Sequence, residues 1–400
     1  MRLGYYAHHH GSGHCRQIDK LAALLPVDAK RQLIVFTSLS RDDYNFTAVD
    51  ETQIVRLQAE DECADDVLKG RAGEHWQPDS LHYSPVGNSN IQKRSHQILD
   101  TIYQCKIDLM IIDVSVEVAM LCRAASIPYL YIRLPGIRDD TPHLNAFAGA
   151  LALLAPYPRL LEATMTPEWV GKKTLYLDFI DTAQQKELNY HDFMKILTKL
   201  NTSNLKDWKE VPPTIITVIK GYGGHKAIDM KLPELRRLLP NAFIISLGPI
   251  NHNMRCHVDI AAQVNDVTPF IQHSDYLVMA CGLNAVAQAY DYATPLVVLP
   301  DDRPHQEQEV MAQALINQER ALSWQQFKTL LSHKQTHTNP NRQSANKAEP
   351  KSVPKSSNAN RNKDCLTAAQ KFMDSTTEYP TTKAWFEKWL LPKLELNPDC

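Results

Sequence analysis

The side chains that could do chemistry cluster where apolar runs give way to helical periodicity. The segment His10-Gly11-Ser12-Gly13-His14-Cys15-Arg16 follows the apolar run Leu3-Ala7 and opens a helical pattern. Gly11 and Gly13 permit a tight turn with close backbone approach, and a helix start at that point favours an anion. His14 stands at this start, where an imidazole titrating near neutral pH can act as a general base. Asp113 ends the apolar run Leu109-Met110-Ile111-Ile112, which places its carboxylate at the same sheet edge. A carboxylate beside an imidazole fixes its tautomer and raises its basicity. The other reading of Asp113 is a cap for the helix starting at Ser115 or Val116, because Asp is a favoured N-cap.

Two further loops have the same setting. Lys220-Gly221-Tyr222-Gly223-Gly224-His225 and Ala280-Cys281-Gly282-Leu283-Asn284 each follow an apolar run and precede a helical one, and such loops can cradle phosphate with backbone N–H groups. The polar loop Pro135 to His143 carries Arg138, Asp139 and His143; it either lines a cleft or is solvated surface. The run His8-His9-His10 alternates faces in a strand, so its three rings do not converge on a metal. No metal and no cofactor are expected.

These residues need a scaffold of parallel strands and crossover helices. The strand pattern is met at Leu3-Ala7, Leu33-Thr37, Ile54-Leu57, Leu109-Asp113, Tyr129-Leu134 and Thr174-Leu177. Helical spacing falls between them, around Arg16-Leu25, Ile91-Gln104 and Val116-Ala125. After a polar stretch the grammar restarts with strands Thr214-Ile219, Phe243-Leu247, Tyr276-Met279 and Leu296-Leu299, and helices Ala227-Leu239, Asn284-Tyr290 and Glu307-Ile316. The expected organisation is an α/β domain over 1–180, a linker region over 181–212 and a second α/β domain over 213–332. A basic insertion over 333–363 and C-terminal helices over 364–400 follow. Two doubly wound parallel sheets in tandem imply a central cleft, with ligands at the carboxyl ends of the strands. The apolar run Leu144-Leu154 reads as a helix, either buried in the core or exposed as a patch for a lipid-linked acceptor or membrane surface.

Composition narrows the function classes. The chain has 400 residues, 44% hydrophobic and 22% charged, which suits two globular domains and excludes a fibrous or mostly disordered protein. With 43 Lys and Arg against 45 Asp and Glu, the formal charge is −2, so no global basic field favours nucleic acid. The stretch 333–363 is the exception, with seven basic residues against Glu349 alone and only three Ala and one Val as apolar side chains. It is expected to be disordered, since so little burial cannot offset ordering entropy. Eight cysteines without a CxxC pair suggest reduced thiols and a cytoplasmic protein. Neither a signal-peptide pattern nor a run of about 20 apolar residues occurs, so any membrane contact is expected to be peripheral, at an inner membrane.

The block Ser274-Asp275-Tyr276-Leu277-Val278-Met279-Ala280-Cys281-Gly282-Leu283-Asn284-Ala285-Val286-Ala287-Gln288-Ala289 is the most specific. With Thr294-Pro295-Leu296-Val297-Val298-Leu299-Pro300 and Glu307-Gln308-Glu309-Val310-Met311-Ala312, it resembles the nucleotide-sugar half of MurG-like glycosyltransferases of the GT-B fold. The glycine loop at the N-terminus resembles their first loop, and the matches cover roughly residues 1–25, 108–135 and 213–318. The resemblance implies an enzyme passing a sugar from a nucleotide donor, UDP-linked, to a glycan or lipid-linked acceptor hydroxyl with inversion. It implies that Gly282, Leu283, Asn284 and Ala285 receive the diphosphate, and that the backbone near Val267 holds the base. Gln288 stands where the family has a ribose-binding glutamate, and Glu307-Gln308 where it has a His-Gln pair, with Gln308 towards the sugar. His14 is then the base and Asp113 its partner. Two alternatives follow from the same residues: Gly11 to Arg16 also resembles the start of the UDP-sugar hydrolase of pseudaminic acid synthesis, and Gln288 admits a non-catalytic sugar-nucleotide or glycan binder.

Overall fold

The computed structural model describes residues 2–8, 12–58, 80–179, 188–200, 213–221, 225–337 and 382–392. The first sheet holds seven strands: β1 (Leu3–Ala7), β2 (Ile34–Thr37), β3 (Ile54–Arg56), β4 (Leu109–Asp113), β5 (Tyr129–Ile132), β6 (Ala152–Ala155) and β7 (Thr174–Tyr176). All pair in parallel, in the order β3-β2-β1-β4-β5-β6-β7. These strands are apolar on both faces because helices cover both. Tyr5, Ile111 and Leu130 point into one core, and Tyr6, Met110 and Tyr131 into the other, as the two-residue period of a strand requires.

The second sheet holds β8 (Ile215–Ile219), β9 (Phe243–Leu247), β10 (Ile260–Ala262), β11 (Tyr276–Met279), β12 (Leu296–Val298) and β13 (Ala321–Ser323), parallel in the order β10-β9-β8-β11-β12-β13. Both sheets reverse direction of winding beside their first strand, between β1 and β4 and between β8 and β11. Loops leaving those strands diverge there and open a crevice, which is where open α/β sheets bind ligands. The strand-to-helix junctions after β1, β4 and β11 carry His14, Asp113 and Gly282.

The helices that matter for the site are α1 (Gly13–Ala23), α2 (Val27–Arg31), α3 (Ser89–Gln104), α4 (Val116–Ala124), α5 (Thr141–Gly149), α6 (Glu168–Lys173) and α7 (Tyr190–Leu200) in the first part. The second part adds α8 (Lys226–Leu238), α9 (Thr268–His273), α10 (Leu283–Ala289), α11 (Glu307–Asn317) and α12 (Trp324–His337). A last helix, α13 (Thr382–Trp385), runs on through a π-helical turn over Phe386–Leu390. It returns to the first domain: Trp385, Phe386, Trp389 and Leu390 pack in one core with Leu21, Ile111, Ile132 and Leu154.

The structure corrects the sequence reading in several places. The run 144–154 is not one helix: α5 ends at Gly149 and the chain resumes as β6. A short continuous apolar run fits a buried parallel strand and a buried helix alike, and here its strand half is covered on both faces. Ala146, Phe147, Leu153 and Leu154 are buried, so the run offers no exposed apolar patch. Strands β6, β10 and β13 were not expected; β10 and β13 have three residues each and sit at a sheet edge. Helix α12 continues to His337, five residues into the expected insertion. The rest of 333–363, and the parts of the expected C-terminal helices over 364–381 and 393–400, lie outside the described residues.

Candidate active site

His14 is the second residue of α1, and β1 carries it to the crevice. Its Nδ1 lies 3.0 Å from Asp113 Oδ2, with both side chains largely shielded from solvent. Asp113 does not cap the following helix. Ser115 does so, its hydroxyl accepting the backbone N–H of Val118 at 3.3 Å, while Val114 takes a positive φ of 56° to make the sharp turn between them. Asp113 is thereby left facing the imidazole. Tyr5 donates its hydroxyl to the same Oδ2 at 3.4 Å, and Asp113 Oδ1 is buried without a hydrogen bond among the described residues. Burial alone would lower the His14 pKa, but the charge of Asp113 and its hydrogen bond outweigh it and leave the pKa raised above 6.5. Nδ1–H donates to Asp113, so Nε2 keeps a lone pair for an incoming proton. The ring of His8, also buried, stands edge-on to His14 with centroids 5.7 Å apart.

The second domain faces this pair. Gly282 caps α10 in extended conformation after Cys281, whose φ of 63° turns the chain out of β11. A Cβ at Gly282 would meet nothing within 4 Å, so the loop presents open backbone. Asn284 Oδ1 accepts from Gln17 Nε2 at 3.0 Å, joining α1 to α10 across the cleft. A Cβ on Gly13 would touch Asn284 Nδ2 at 3.5 Å, so the first glycine loop and the Gly282 loop are in contact distance. Leu283 is buried and Ala285 half-buried, while Gln288 is exposed. Val267 caps α9 and packs between a core of the second domain and the core that Ala155, Tyr157 and Leu161 of the first domain share with it. Gln308 is buried and its carbonyl accepts the backbone N–H of Asp301 at 2.9 Å, which ties α11 to the loop after β12. Asp301 in turn accepts the backbone N–H groups of Lys226 and Ala227 at 3.1 and 2.6 Å, fixing the start of α8. Gly11, Gly223 and Gly224 lie outside the described residues.

The loop after β5 closes the cleft from the other side. Ile137 donates its backbone N–H to the His305 carbonyl at 2.7 Å, and Gly136, at φ +123°, has no room for a side chain because a Cβ would lie 2.7 Å from that same oxygen. Arg138 donates to Glu307 Oε2 at 3.5 Å and to His143 Nε2 at 3.3 Å. Asp139 is exposed. Around Asp140, which caps α5 by accepting the His143 backbone N–H at 3.1 Å, three histidines gather. His143 Nδ1 is 2.7 Å from Oδ2, His82 Nε2 3.0 Å from Oδ1, and His305 Nδ1 3.9 Å from Oδ2. Burial and the Arg138 charge push His143 down to about 3 and His305 down to about 4, so both are neutral at pH 7. Of these groups the sequence pointed to Arg138, His143 and Glu307. His82, Gln17 and Tyr5 were missed, because nothing local marks a residue whose partners lie up to 267 positions away.

Between α3 and α4, beneath the 81–84 loop, lies a cavity of about 270 Å³ lined mainly by apolar groups, with Arg94 and Glu117 on its wall. Glu117 Oε1 accepts the backbone N–H groups of His82 and Tyr83 at 2.9 and 3.0 Å, so it holds the loop that leads from this cavity to the histidine cluster.

No family model matches the sequence, and no curated protein matches it. Solved structures do match in architecture. A crystal structure of MurG from Acinetobacter baumannii is similar at 14% identity and a TM-score of 0.53, over 84% of this chain and 90% of that one. The spinosyn rhamnosyltransferase SpnG in complex with thymidine diphosphate matches at 12% identity and 0.56, over 98% and 100%. A UDP-glucose: anthocyanidin 3-O-glucosyltransferase in complex with UDP matches at 9% and 0.51, over 83% and 89%. Two parallel sheets, each wound about a switch point that faces the other, and coverage of both domains in every one of these comparisons place the chain in the GT-B fold.

Proposed function

We propose that this chain is a glycosyltransferase that moves a sugar from a UDP-linked donor to a hydroxyl of a glycan or lipid-linked acceptor. The observation that carries this reading is the His14–Asp113 pair, 3.0 Å apart at one switch point, on the helix whose Gln17 bonds Asn284 of the opposite switch-point loop. A base is thus held opposite open backbone suited to a diphosphate. His14 Nε2 takes the acceptor proton as the hydroxyl oxygen attacks the anomeric carbon, and the bond from that carbon to the diphosphate breaks with its electron pair leaving on UDP. One displacement inverts the configuration. Asp113 stabilises the imidazolium that forms. Backbone N–H groups of the Gly282–Ala285 loop meet the charge developing on the leaving diphosphate, so that step needs no metal. Gln288 on its exposed face is suited to the ribose, Gln308 and Glu307 to the sugar.

Nucleoside diphosphates named in the complexes of the matching structures support the donor class, and an aglycone complex of SpnG supports a separate acceptor. The cavity beside α3 suits an apolar acceptor portion. No described helix is long and apolar enough to cross a membrane. A cytoplasmic protein touching the inner membrane peripherally fits the exposed Leu160, Met165 and Trp169 between Arg159 and Lys172.

The reading is tested by melting the protein with UDP, UDP-sugars and other nucleotides, because a ligand of the native state raises the melting temperature. UDP-linked ligands should shift it and a UDP-sugar should turn over only with acceptor present. Free sugar released at full rate without acceptor would replace transfer by hydrolysis, the alternative the Gly11–Arg16 segment suggests. Binding without turnover of any donor would leave a sugar-nucleotide binder.

A further inference from the structure

We propose that His82, Asp140, His143 and His305 form a binding site for one zinc-class divalent cation spanning the interdomain cleft. The donor atoms of His82, Asp140 and His143 all lie within 4.8 Å of one another. In a tetrahedral zinc site with bonds of about 2.0–2.1 Å, donors stand about 3.3 Å apart, so small movements of these side chains suffice. The ring centroids of His143 are 4.8 Å from His82 and 4.7 Å from His305, and His305 Nδ1 lies 3.9 Å from Asp140 Oδ2, so the third imidazole borders the cluster and a larger side-chain movement brings it in. Three imidazoles and one carboxylate are a donor set suited to Zn²⁺ and unsuited to Mg²⁺ or Ca²⁺, which prefer oxygen.

The scaffold holds these groups in place. Asp140 and His143 share the first turn of α5, and Glu117 fixes the His82 backbone at 2.9 Å. His305 takes a positive φ of 60°, with its carbonyl bonded to Ile137. Without a cation, His143 Nδ1–H donates to Asp140 while Nε2 accepts from Arg138. Loading moves the His143 proton to Nε2, frees Nδ1 for the metal and turns Arg138 towards Glu307, whose 3.5 Å contact has room to shorten. Because three ligands come from the first domain and His305 from the second, the cation would clasp the domains. Cation binding is measured without donor or acceptor, so the proposal does not depend on the transfer reading.

The test is calorimetric titration of the metal-free full-length protein with Zn²⁺, paired with Co²⁺ absorption, whose visible bands report tetrahedral ligation. One Zn²⁺ per chain with a Kd at or below about 1 µM is expected. His82→Ala, a change at a partly exposed loop residue, should weaken binding about 10-fold or more. The double change His82→Ala/His143→Ala should weaken it about 100-fold or more, and His305→Ala about 10-fold. Melting curves establish that each variant is folded; His82→Ala alone suffices if His143→Ala does not fold. The His8-His9-His10 run is the competing source of affinity, so His9→Asn/His10→Asn should leave binding unchanged. No uptake near that concentration would overturn the proposal. So would uptake that survives His82→Ala and disappears with His9→Asn/His10→Asn, and a full-affinity His305→Ala protein would overturn the bridging geometry.

Discussion

Replacing Asp113 by Asn removes one charge from a nearly isosteric group, and its consequences follow from the geometry. In the native protein the carboxylate is buried, accepts from His14 and Tyr5, and keeps Oδ1 unpaired among the described residues. A hydrogen bond to a charged group contributes about 1.5–3 kcal/mol and a neutral one about 0.5–1.5 kcal/mol, so the substitution removes about 1–2 kcal/mol from the imidazolium formed in the transition state. Turnover should fall about 5- to 30-fold. The pH dependence gives a second readout. Asp113 is what holds the His14 pKa above 6.5 against burial, so without it the ascending limb of kcat/KM against pH should move below 6.5. Stability follows the same linkage with its own sign. A histidine whose folded pKa is raised adds stability that is complete below its unfolded value near 6.5 and is lost as pH rises through the folded pKa. The native protein should therefore exceed Asp113→Asn in melting temperature by more at pH 6 than at pH 9. The assays are steady-state kinetics from pH 5.5 to 9 and thermal melts on the same preparations. An unshifted limb with unchanged turnover would refute the assignment of Asp113 as the partner of a catalytic histidine.

Two other perturbations probe the cleft. Gly136→Ala forces a side chain onto a φ of +123° and against the His305 carbonyl, which should cost about 1–3 kcal/mol and lower the melting temperature measurably; an unchanged melt would show that the 135–137 loop and the 303–307 loop do not meet this closely. Gln288→Glu should tighten UDP about 5-fold by offering an ionised acceptor, and Gln288→Ala should weaken it by a similar factor. Calorimetry with no change in either variant would remove this exposed residue from the ribose site.

Much of this arrangement is legible in the sequence because it is local. The strand-to-helix junctions at His14, Asp113 and Gly282 are marked by apolar runs that stop abruptly, whereas the switch point of each sheet depends on the spatial order of the strands, which the order along the chain does not give. Spacing marked the Gly282 loop as a junction able to cradle a phosphate; its donor role is what the family resemblance implies. Edge strands β10 and β13 escaped notice because three residues carry too little periodicity, and β6 because an apolar run does not declare its own geometry. The cleft's polar network was hidden for a different reason. His82 meets Asp140 across 58 residues and Gln17 meets Asn284 across 267, so each is an ordinary polar residue until the two sheets are built and brought face to face. Ser115 illustrates the local limit: Asp113 and Ser115 are both good caps on paper, and only the positive φ at Val114 decides that Ser115 caps and Asp113 turns inward.

The most direct test of the account is His14→Ala, measured for donor affinity, turnover and melting temperature on one preparation. If His14 is the base that deprotonates the acceptor, turnover should fall about 10² to 10⁴ fold while UDP affinity stays near the native value, because the imidazole acts on the acceptor hydroxyl and not on the nucleotide. A stably folded His14→Ala protein that transfers sugar at the native rate would contradict it.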